Sequence, residues 1–370
     1  MLYILIAVLM FGILIALHEF GHFAAAKLCG VKVNEFSIGM GPAIWQSRKV
    51  NDELWEEDRT LYSLRLLPIG GFCAMEGEEE GESPDPRAFP NRPWWQRLII
   101  LLAGVLMNFL TGFLIILCLF ASAEGFYTPE ITGFSEGTAL TAQQYLQVGD
   151  RITQVDGHAI YLQSDVRFFL SRVSGDAVSI TVRRGEDVIR NEVPLTKSVQ
   201  EDGTTQKMLG IYLAGAERAT LGVKLRNAWF QAVDYVRLVW ISLGDLISGQ
   251  VGLRDMSGVV GIVDMVGDLG AEGAAAAEAA GTSPLLGALE NILWFGAFIA
   301  INLAVMNLLP IPALDGGQIF LMAVNGILLA VRGRKLDQKY QGWVTAAGFA
   351  ALMLLMLAVT VSDVLKLFGR

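Results

Sequence analysis

The sequence predicts a polytopic α-helical membrane protein with four transmembrane helices, and two observations predict this class. Of its 370 residues, 53% are hydrophobic and only 18% are charged, whereas soluble domains have about 25% charged residues. Three uncharged windows, 98–123, 291–314 and 340–362, each exceed the ~20 residues that a spanning helix needs. These observations exclude an ordinary soluble globular protein.

The first span is predicted over residues 1–28. Residues 1–17 are uncharged, and the apolar pattern resumes after His22. The alternative is a cleaved signal peptide, but such peptides have a basic n-region and a small-residue cleavage site. Here the apolar run continues directly into His18 and Glu19. We therefore expect an uncleaved span.

The spans divide the chain into seven predicted segments. They are the first span (1–28), a cytoplasmic membrane-associated β-region (29–96), the second span (97–123), a small folded domain (127–197), amphipathic helices with a linker (198–288), the third span with a following helix (289–331), and the fourth span (340–364).

Lysine and arginine in short flanks and loops predict the orientation, because such residues concentrate on the cytoplasmic side. They follow span one, precede span two and separate spans three and four: Lys27, Lys32, Arg87, Arg92, Arg97, Arg332, Arg334, Lys335 and Lys339. Residues 122–141 and 269–288 contain neither type. The N-terminus and residues 124–288 are therefore predicted to be extracytoplasmic. Lys366 and Arg370, at the predicted external C-terminus, run against this rule.

The cytoplasmic segment is predicted to be β-rich. Alternating runs at 32–38 and 61–66 are typical of strands, and Gly and Pro residues separate them as turns. The acidic stretch 76–82 is predicted to be a solvated connector. The net charge of −9 and the lack of a basic block argue against a nucleic-acid partner. Three scattered cysteines suggest neither a disulfide framework nor a cysteine zinc site.

Residues 129–196 alternate short strands with turns, which is typical of a small β-rich domain. The stretch 148–157, followed by a helix-like 164–170, resembles a bacterial PDZ domain, so we expect an extracytoplasmic PDZ-like α+β domain. The expected peptide-cradling loop, 135–140, matches loosely, which leaves peptide binding and a gating role both open. Beyond the domain, 225–247 is predicted to be an amphipathic helix and 267–281 a mobile Ala/Gly linker.

The strongest motif is His18-Glu19-Phe20-Gly21-His22 in the first span. Positions i and i+4 share one face of a helix, so both imidazoles can reach one Zn²⁺ while Glu19 acts on a metal-bound water. The alternative is chance, because the pattern also occurs in unrelated soluble helices. An ionisable residue inside a spanning helix costs at least ~2.5 kcal/mol, however, so it tends to be kept for function. We therefore predict a zinc site.

The third zinc ligand is predicted to be Asp315, because catalytic zinc sites typically have three protein ligands. The only other histidine, His158, falls in the predicted external domain. Asp315 is the first charge after the third apolar window, and Pro310 and Pro312 must break the helix before it. Irregular backbone at membrane depth survives only where protein or a water-filled cavity satisfies it. The alternative is a proline kink followed by an interfacial aspartate.

These features together resemble the site-2 protease family of intramembrane zinc metalloproteases. They are the 18–22 motif, the stretch 307–317 (Asn-Leu-Leu-Pro-Ile-Pro-Ala-Leu-Asp-Gly-Gly) and one PDZ-like domain between spans two and three. Further stretches similar to family segments are 33–42, 62–71, 104–109 and 257–262. Val259 stands where proline is common in the family. A single PDZ-like domain fits the shorter bacterial members.

The resemblance implies a multi-pass enzyme of the bacterial inner or plasma membrane, with its active site towards the cytoplasm. It implies that His18, His22 and Asp315 hold Zn²⁺. Glu19 would take a proton from the zinc-bound water and later protonate the leaving amine. The implied substrates are single-span membrane proteins, such as anti-sigma factors trimmed outside or remnant signal peptides, cut by regulated intramembrane proteolysis. The oligomeric state stays open.

Two asparagines and one strand are further candidates. Asn108 either donates to the oxyanion of the reaction or joins two spans by a hydrogen bond. Asn307 either holds substrate backbone or ties down the broken helix. The last candidates form a strand predicted to pair with an unwound substrate by strand addition: Phe36, Ser37, Ile38 and Gly39.

Other function classes fit the sequence less well than the protease. A zinc-independent membrane scaffold could present the external domain to partners, but a scaffold has no need of the base Glu19. A transporter would explain the broken helix, yet four spans without an internal repeat make it weak. The other membrane protease class with this histidine motif uses a glutamate ligand, whereas the proline-rich stretch here supplies Asp315.

Overall fold

The computed structural model of the chain describes residues 2–47, 59–78, 83–135, 142–199, 205–252, 256–334 and 336–368. These residues form two compact units, one of Met1–Ile116 with Tyr235–Arg370 and one of Leu117–Asp234. Some predictions lie wholly or partly outside the described residues: the loop 135–140, the connector 76–82, and the charges of Lys335 and Arg370.

In chain order the elements are α1 (Leu2–Leu28), β1 (Val33–Gln46), β2 (Leu61–Met75), α2 (Trp94–Leu119), β3 (Gly125–Phe134), β4 (Arg151–Val155), β5 (His158–Ala159), α3 (Gln163–Ser171), β6 (Ala177–Arg184), β7 (Asp187–Pro194), β8 (Thr196–Val199), β9 (Thr205–Met208), β10 (Ile211–Arg218), α4 (Leu221–Ile247), α5 (Val259–Ala279), α6 (Pro284–Asn307), α7 (Asp315–Arg332) and α8 (Gln338–Phe368).

Four helices of the described chain are long and apolar enough to span a membrane, namely α1, α2, α6 and α8. They coincide with the four predicted apolar windows. The third differs in its end, because α6 stops at Asn307 although the uncharged window continues to Leu314. Pro310 and Pro312 account for this early end, since a proline offers no backbone N–H and clashes with the preceding helical turn.

Helices α1 and α2 pack closely beside the sheet of β1 and β2. A core of buried apolar side chains joins the three elements: Ala25, Ala26, Val31, Val33, Cys73, Met75, Phe89, Ile100 and Leu101. The close approach of the helices depends on Gly21 of α1, where a Cβ would overlap the carbonyl of Ala103. A small residue at this crossing is typical of packing between membrane helices.

Residues 267–281, predicted to be a mobile linker, mostly belong to helix α5, so that prediction is wrong. The helix packs against α6, where Gly273 and Gly287 bring the two backbones together. Alanine favours helix, and glycine costs only about 1 kcal/mol there when close packing compensates. The amphipathic helix predicted at 225–247 lies within α4.

The sheet of β1 and β2 is not a simple hairpin, because β2 folds back and pairs with both edges of the first half of β1. Glu35–Ile38 pair with Leu61–Leu64 along one edge and with Gly71–Ala74 along the other. The second half of β1 pairs again with β2, as in the partners Trp45 and Leu64. Positive φ angles at Gly39 and Gly70 permit the sharp changes of direction. The first half of β1 is therefore an interior strand.

The second unit contains a six-stranded sheet with the order β10-β3-β4-β6-β7, in which β5 also pairs with β4. Asp156 and Gly157, both at positive φ, form the two-residue turn between β4 and β5. Helix α3 covers a core that includes Ile152, Val166 and Ile180. The hairpin predicted around 183–187 is formed by β6 and β7.

Candidate metal centre

The two histidines of the first helix lie side by side in the interior. His18 and His22 are one turn apart on α1, and their Nε2 atoms are 3.1 Å from each other. Both side chains are buried, with exposed fractions of 9% and 6%. The spacing of four residues puts them on one helix face, as the sequence predicts.

Asp315 completes the cluster from the first residue of α7. Its Oδ2 lies 3.3 Å from Nε2 of His18 and 3.4 Å from Nε2 of His22. The aspartate arrives there because residues 308–314 form an irregular connection between α6 and α7. Ala313, with φ 85°, turns the chain just before the helix begins. Gly316 and Gly317 let this connection pack directly on the first turn of α7.

The three donor atoms fit a tetrahedral metal ion. Zinc bonds of about 2.0–2.1 Å place tetrahedral ligands about 3.3 Å apart, and the three separations here are 3.1, 3.3 and 3.4 Å. Among the described residues, His18, His22 and Asp315 are the only cluster of this kind. The buried Oδ2 of Asp315 has no hydrogen-bond donor among them. Two imidazoles and one carboxylate match the donor set of catalytic zinc sites.

Glu19 lies between the two histidines in sequence and stands beside the cluster. Its Oε2 accepts a hydrogen bond of 3.1 Å from the backbone N–H of Cys73 in β2. It lines the same cavity as the three ligand side chains. Glu19 is absent from the ligand cluster, which leaves its carboxylate available for proton transfer.

The two candidate asparagines lie on opposite sides of His18. The Asn307 amide is 3.4 Å from Nε2, the ring nitrogen that faces the other donors. The Asn108 amide is 3.3 Å from Nδ1, the nitrogen that faces away from them. Both asparagines line the cavity, but Asn307 contacts the ring nitrogen at the metal side, whereas Asn108 contacts the one at the back of the ring.

The strand of Phe36–Gly39 does not offer the edge that strand addition needs. Both edges of Glu35–Ile38 are already paired with the two halves of β2. The prediction that this strand itself pairs with substrate is therefore wrong, because its backbone groups are used within the sheet. Among the described strands, none pairs with Gly71–Met75 on the side away from β1, and this is the edge at which Cys73 meets Glu19.

The cavity at this centre has a volume of about 350 Å³. Glu78 also lines it, although the sequence predicts a solvated connector at that position. Burial raises the pKa of Glu78 to about 7, against the attraction of His22 and the hydrogen bond from the backbone of Met75. Burial likewise raises the pKa of the Cys73 thiol to about 12. No spacing rule in the sequence could have placed Glu78 here, because its position depends on how β2 returns to α1.

The arrangement offers a three-ligand metal site, a carboxylate beside it and a cavity that reaches both. A site with three protein ligands leaves a coordination position open for water or substrate. The residues present thus provide the parts of a hydrolytic metal site: ligands, a proton acceptor and an amide donor in Asn307.

Comparison with known proteins gives consistent results over nearly the whole chain. Peptidase family M50 matches residues 6–355. A Clostridium perfringens protein named as a zinc metalloprotease is 35% identical over 370 residues, covering 98% of this chain and 99% of that protein. The regulator of sigma-W protease RasP of Bacillus subtilis is 26% identical over 442 residues, covering 98% of both chains.

Solved structures also match part of the chain. Among them is the PDZ domain of an SdrC-like protein from Listeria monocytogenes, with 23% identity and a TM-score of 0.19. The match covers 25% of this chain and 90% of that domain.

Proposed function

Because this chain belongs to peptidase family M50, the site-2 protease family, we propose that it cuts single-span membrane proteins at a zinc centre of His18, His22 and Asp315. The family predicted from the sequence motifs is thereby confirmed. The chain is a zinc metalloprotease and a multi-pass membrane protein. The single observation that carries the proposed centre is the triangle of donor atoms, whose sides of 3.1–3.4 Å suit tetrahedral zinc.

Zinc, when bound, supplies Lewis acidity and a water that loses its proton near neutral pH. Glu19 is the proposed proton acceptor for that water and the later donor to the leaving amine. Its carboxylate is held by the backbone N–H of Cys73 at 3.1 Å, which fixes its direction. A positioned acid–base group of this kind contributes about 10²–10⁴-fold to the rate.

Asn307 is the proposed amide donor to the substrate carbonyl. Its amide lies 3.4 Å from Nε2 of His18, on the side of the ring where the metal ligands converge. It is the last residue of α6, so the break at Pro310 and Pro312 leaves the adjacent backbone outside a helix. An amide placed next to a developing negative charge stabilises the transition state.

The outer edge of Gly71–Met75 is the proposed docking edge for an extended substrate segment. Cys73 belongs to this edge and also contacts Glu19, so a strand added here would run past the proton acceptor. Main-chain hydrogen bonds of this type give binding without strict side-chain requirements. An ester in place of one substrate amide near the cleaved bond should lower kcat/KM about two- to tenfold, and an unchanged kcat/KM contradicts the docking edge.

The proposed orientation places the N-terminus and the PDZ-like unit outside the cytoplasm and the zinc centre towards the cytoplasm. The Lys and Arg residues that flank α1, α2 and α8 support it through the positive-inside rule. The exposed apolar side chains of the β1–β2 sheet, such as Ile44, Trp45 and Leu67, suit contact with lipid. The PDZ-like unit is the proposed gate or binding module for the part of the substrate outside.

The proposed substrates are anti-sigma factors already trimmed outside, or remnant signal peptides. The Bacillus subtilis relative is named a regulator of sigma-W, which supports the first class. Both classes leave one short transmembrane segment as the substrate.

The decisive experiment measures zinc content and cleavage of a single-span test substrate by the purified chain. Glu19→Gln should keep one zinc per chain and cut at least ~100-fold more slowly, and Asp315→Ala should lose zinc. Asp337→Ala, which changes a carboxylate outside the cavity, is the matched control and should behave as wild type. A wild-type chain without zinc, or normal cleavage by Glu19→Gln, overturns the proposed centre and roles.

A further inference from the structure

Each histidine of the centre has one ring nitrogen towards the ligand cluster and the other towards α2. The Nε2 atoms face Asp315. Nδ1 of His22 lies 2.8 Å from the carbonyl oxygen of Ile100. Nδ1 of His18 lies 3.3 Å from the side-chain amide of Asn108. One helix thus contacts the outer nitrogen of both rings.

The protonation of the outer nitrogens, Nδ1, follows from metal binding by the inner nitrogens, Nε2. An imidazole that gives Nε2 to a metal is neutral and carries its proton on Nδ1. His22 then donates this N–H to the Ile100 carbonyl. His18 carries the same proton, so its partner on α2 must be an acceptor.

Of the two ends of the Asn108 amide, only the carboxamide oxygen can accept that proton. An amide presents an oxygen and a nitrogen at nearly equivalent positions, and the hydrogen-bond network decides which is which. With the nitrogen facing Nδ1, two donors would meet, and Oδ1 of Asn108 is buried with no donor among the described residues. Turning the amide pairs its oxygen with Nδ1–H of His18.

The four-residue spacing along α2 explains how one helix contacts both imidazole rings. Ile100, Gly104 and Asn108 are separated by four residues each and therefore share one face. Gly104 sits between the two contacts, where a Cβ would overlap Nε2 and Cε1 of His22 and lie 2.8 Å from Cε1 of His18. The missing side chain lets the imidazoles lie against the helix, within reach of its acceptors.

We propose that Asn108 is a positioning residue of the zinc centre, which accepts Nδ1–H of His18 and so holds its tautomer and ring orientation. It is then neither a donor to the oxyanion nor a mere link between helices. Outer partners of this kind raise the basicity of the ligand, and their loss typically costs 10–100-fold in metal affinity. The inference rests on the zinc centre proposed above, and it identifies Asn108 as the hydrogen-bond acceptor for Nδ1–H of His18.

The test titrates zinc into the metal-stripped full chain in lipid nanodiscs and records the visible spectrum of the Co²⁺-loaded chain. Asn108→Leu should raise the zinc Kd about 10–100-fold. Asn108→Asp keeps an acceptor, so its Kd should stay within about threefold of wild type, while the Co²⁺ bands shift because a carboxylate is the stronger acceptor.

Asn291→Leu is the matched control. Asn291 of α6 donates to the carbonyl of Leu269 at 3.1 Å, so it joins two helices without touching the centre. It should keep the wild-type Kd and spectrum even if the melting temperature falls. Asn108→Leu with a wild-type Kd and spectrum would reduce Asn108 to the same linking role.

The two proposals fail in different ways. A wild-type chain that binds no zinc removes the centre itself, and with it the role of Asn108. A wild-type chain that binds zinc, with Asn108→Asp unchanged in both Kd and Co²⁺ spectrum, removes only the role of Asn108. This second variant decides the matter if Asn108→Leu does not fold.

Discussion

Gly104 of α2 lies directly against the imidazole of His22, with no room for a side chain between them. A Cβ at Gly104 would overlap Nε2 of His22, lie 2.6 Å from its Cε1 and lie 2.8 Å from Cε1 of His18. The backbone of α2 is thus the surface against which both proposed metal ligands pack. The glycine serves the centre by its lack of a side chain.

Substitution Gly104→Ala should displace the histidines and lower zinc affinity by at least tenfold, the range seen for disturbed outer contacts. The added methyl group meets rigid rings and a helix, and overpacking of this kind costs about 1–3 kcal/mol. Zinc content and cleavage rate measure the effect. Gly326→Ala in α7, where a Cβ meets no atom within 4 Å, is the control. Full zinc content in Gly104→Ala would contradict the contact.

Ala313 holds a left-handed backbone conformation, with φ 85°, two residues before the ligand Asp315. Glycine adopts such angles freely, whereas a β-branched residue is strongly disfavoured there. Ala313→Gly should therefore keep zinc and cleavage, while Ala313→Val should lose about 1–3 kcal/mol of stability and most of its activity. Thermal unfolding and zinc content compare the pair. Equal behaviour of the two variants would show that the turn does not need this conformation.

The second unit is expected to lose stability in acid through Asp150. Burial would raise the pKa of this carboxyl, but the paired hydrogen bonds from Arg184 and the backbone N–H of Gln147 hold it below its usual range. A lowered folded-state pKa stabilises the fold above the unfolded value of about 3.9, and the effect is lost as the pH falls through the folded pKa.

Hydrogen exchange of β4 and β6 in the full chain should therefore show less protection below about pH 4. Asp150→Asn should lose about 1.5–3 kcal/mol near pH 7, the value of hydrogen bonds to a charged group. It should also respond less to acid than wild type does. A variant with the wild-type pH dependence would assign the acid sensitivity to other groups.

Asp363 of α8 is expected to fasten the start of α5. Its buried carboxylate accepts from the backbone N–H groups of Gly258 at 2.7 Å and Gly261 at 3.0 Å. Helix α5 has no side-chain cap of its own, so the aspartate takes that role from another helix. Asp363→Ala should cost about 1–3 kcal/mol and raise hydrogen exchange in the first turn of α5.

Lys366→Met is the control for this contact. Lys366 is 3.4 Å from Asp363 and its side chain is 44% exposed, and such exposed pairs contribute little to stability. Its loss should therefore change exchange in α5 less than Asp363→Ala does. An equal effect of the two would show that the contacts of Lys366, with Asp363 and with the Met256 carbonyl, matter as much as the cap.

Much of the metal centre could be predicted because its chemistry is local in sequence. His18 and His22 share a helix face at a spacing of four, and any α-helix brings them together. Asp315 could be predicted less directly, from the prolines that end α6 and the charge that follows them. The four spans follow from uncharged windows, since bilayer thickness sets their length.

Other parts of the site depend on contacts between distant segments. Asn108 could be read as an oxyanion donor or a helix link until its amide was placed at the back of His18. Phe36–Gly39 has the pattern of an exposed strand, but the return of β2 encloses it. The Ala/Gly stretch of α5 has the composition of a linker, and packing against α6 through Gly273 and Gly287 makes it a helix instead.

The sequence by itself therefore determined the class of protein and identified the proposed metal ligands and base, because each depends on short-range spacing and on whether a segment tolerates water or lipid. Only the tertiary structure decided which strand edge has no partner strand among the described residues, which groups of α2 contact the outer nitrogens of the histidines, and that Glu78 reaches the cavity. These are contacts between segments tens to hundreds of residues apart, and their pairing is set by packing, which no local pattern encodes.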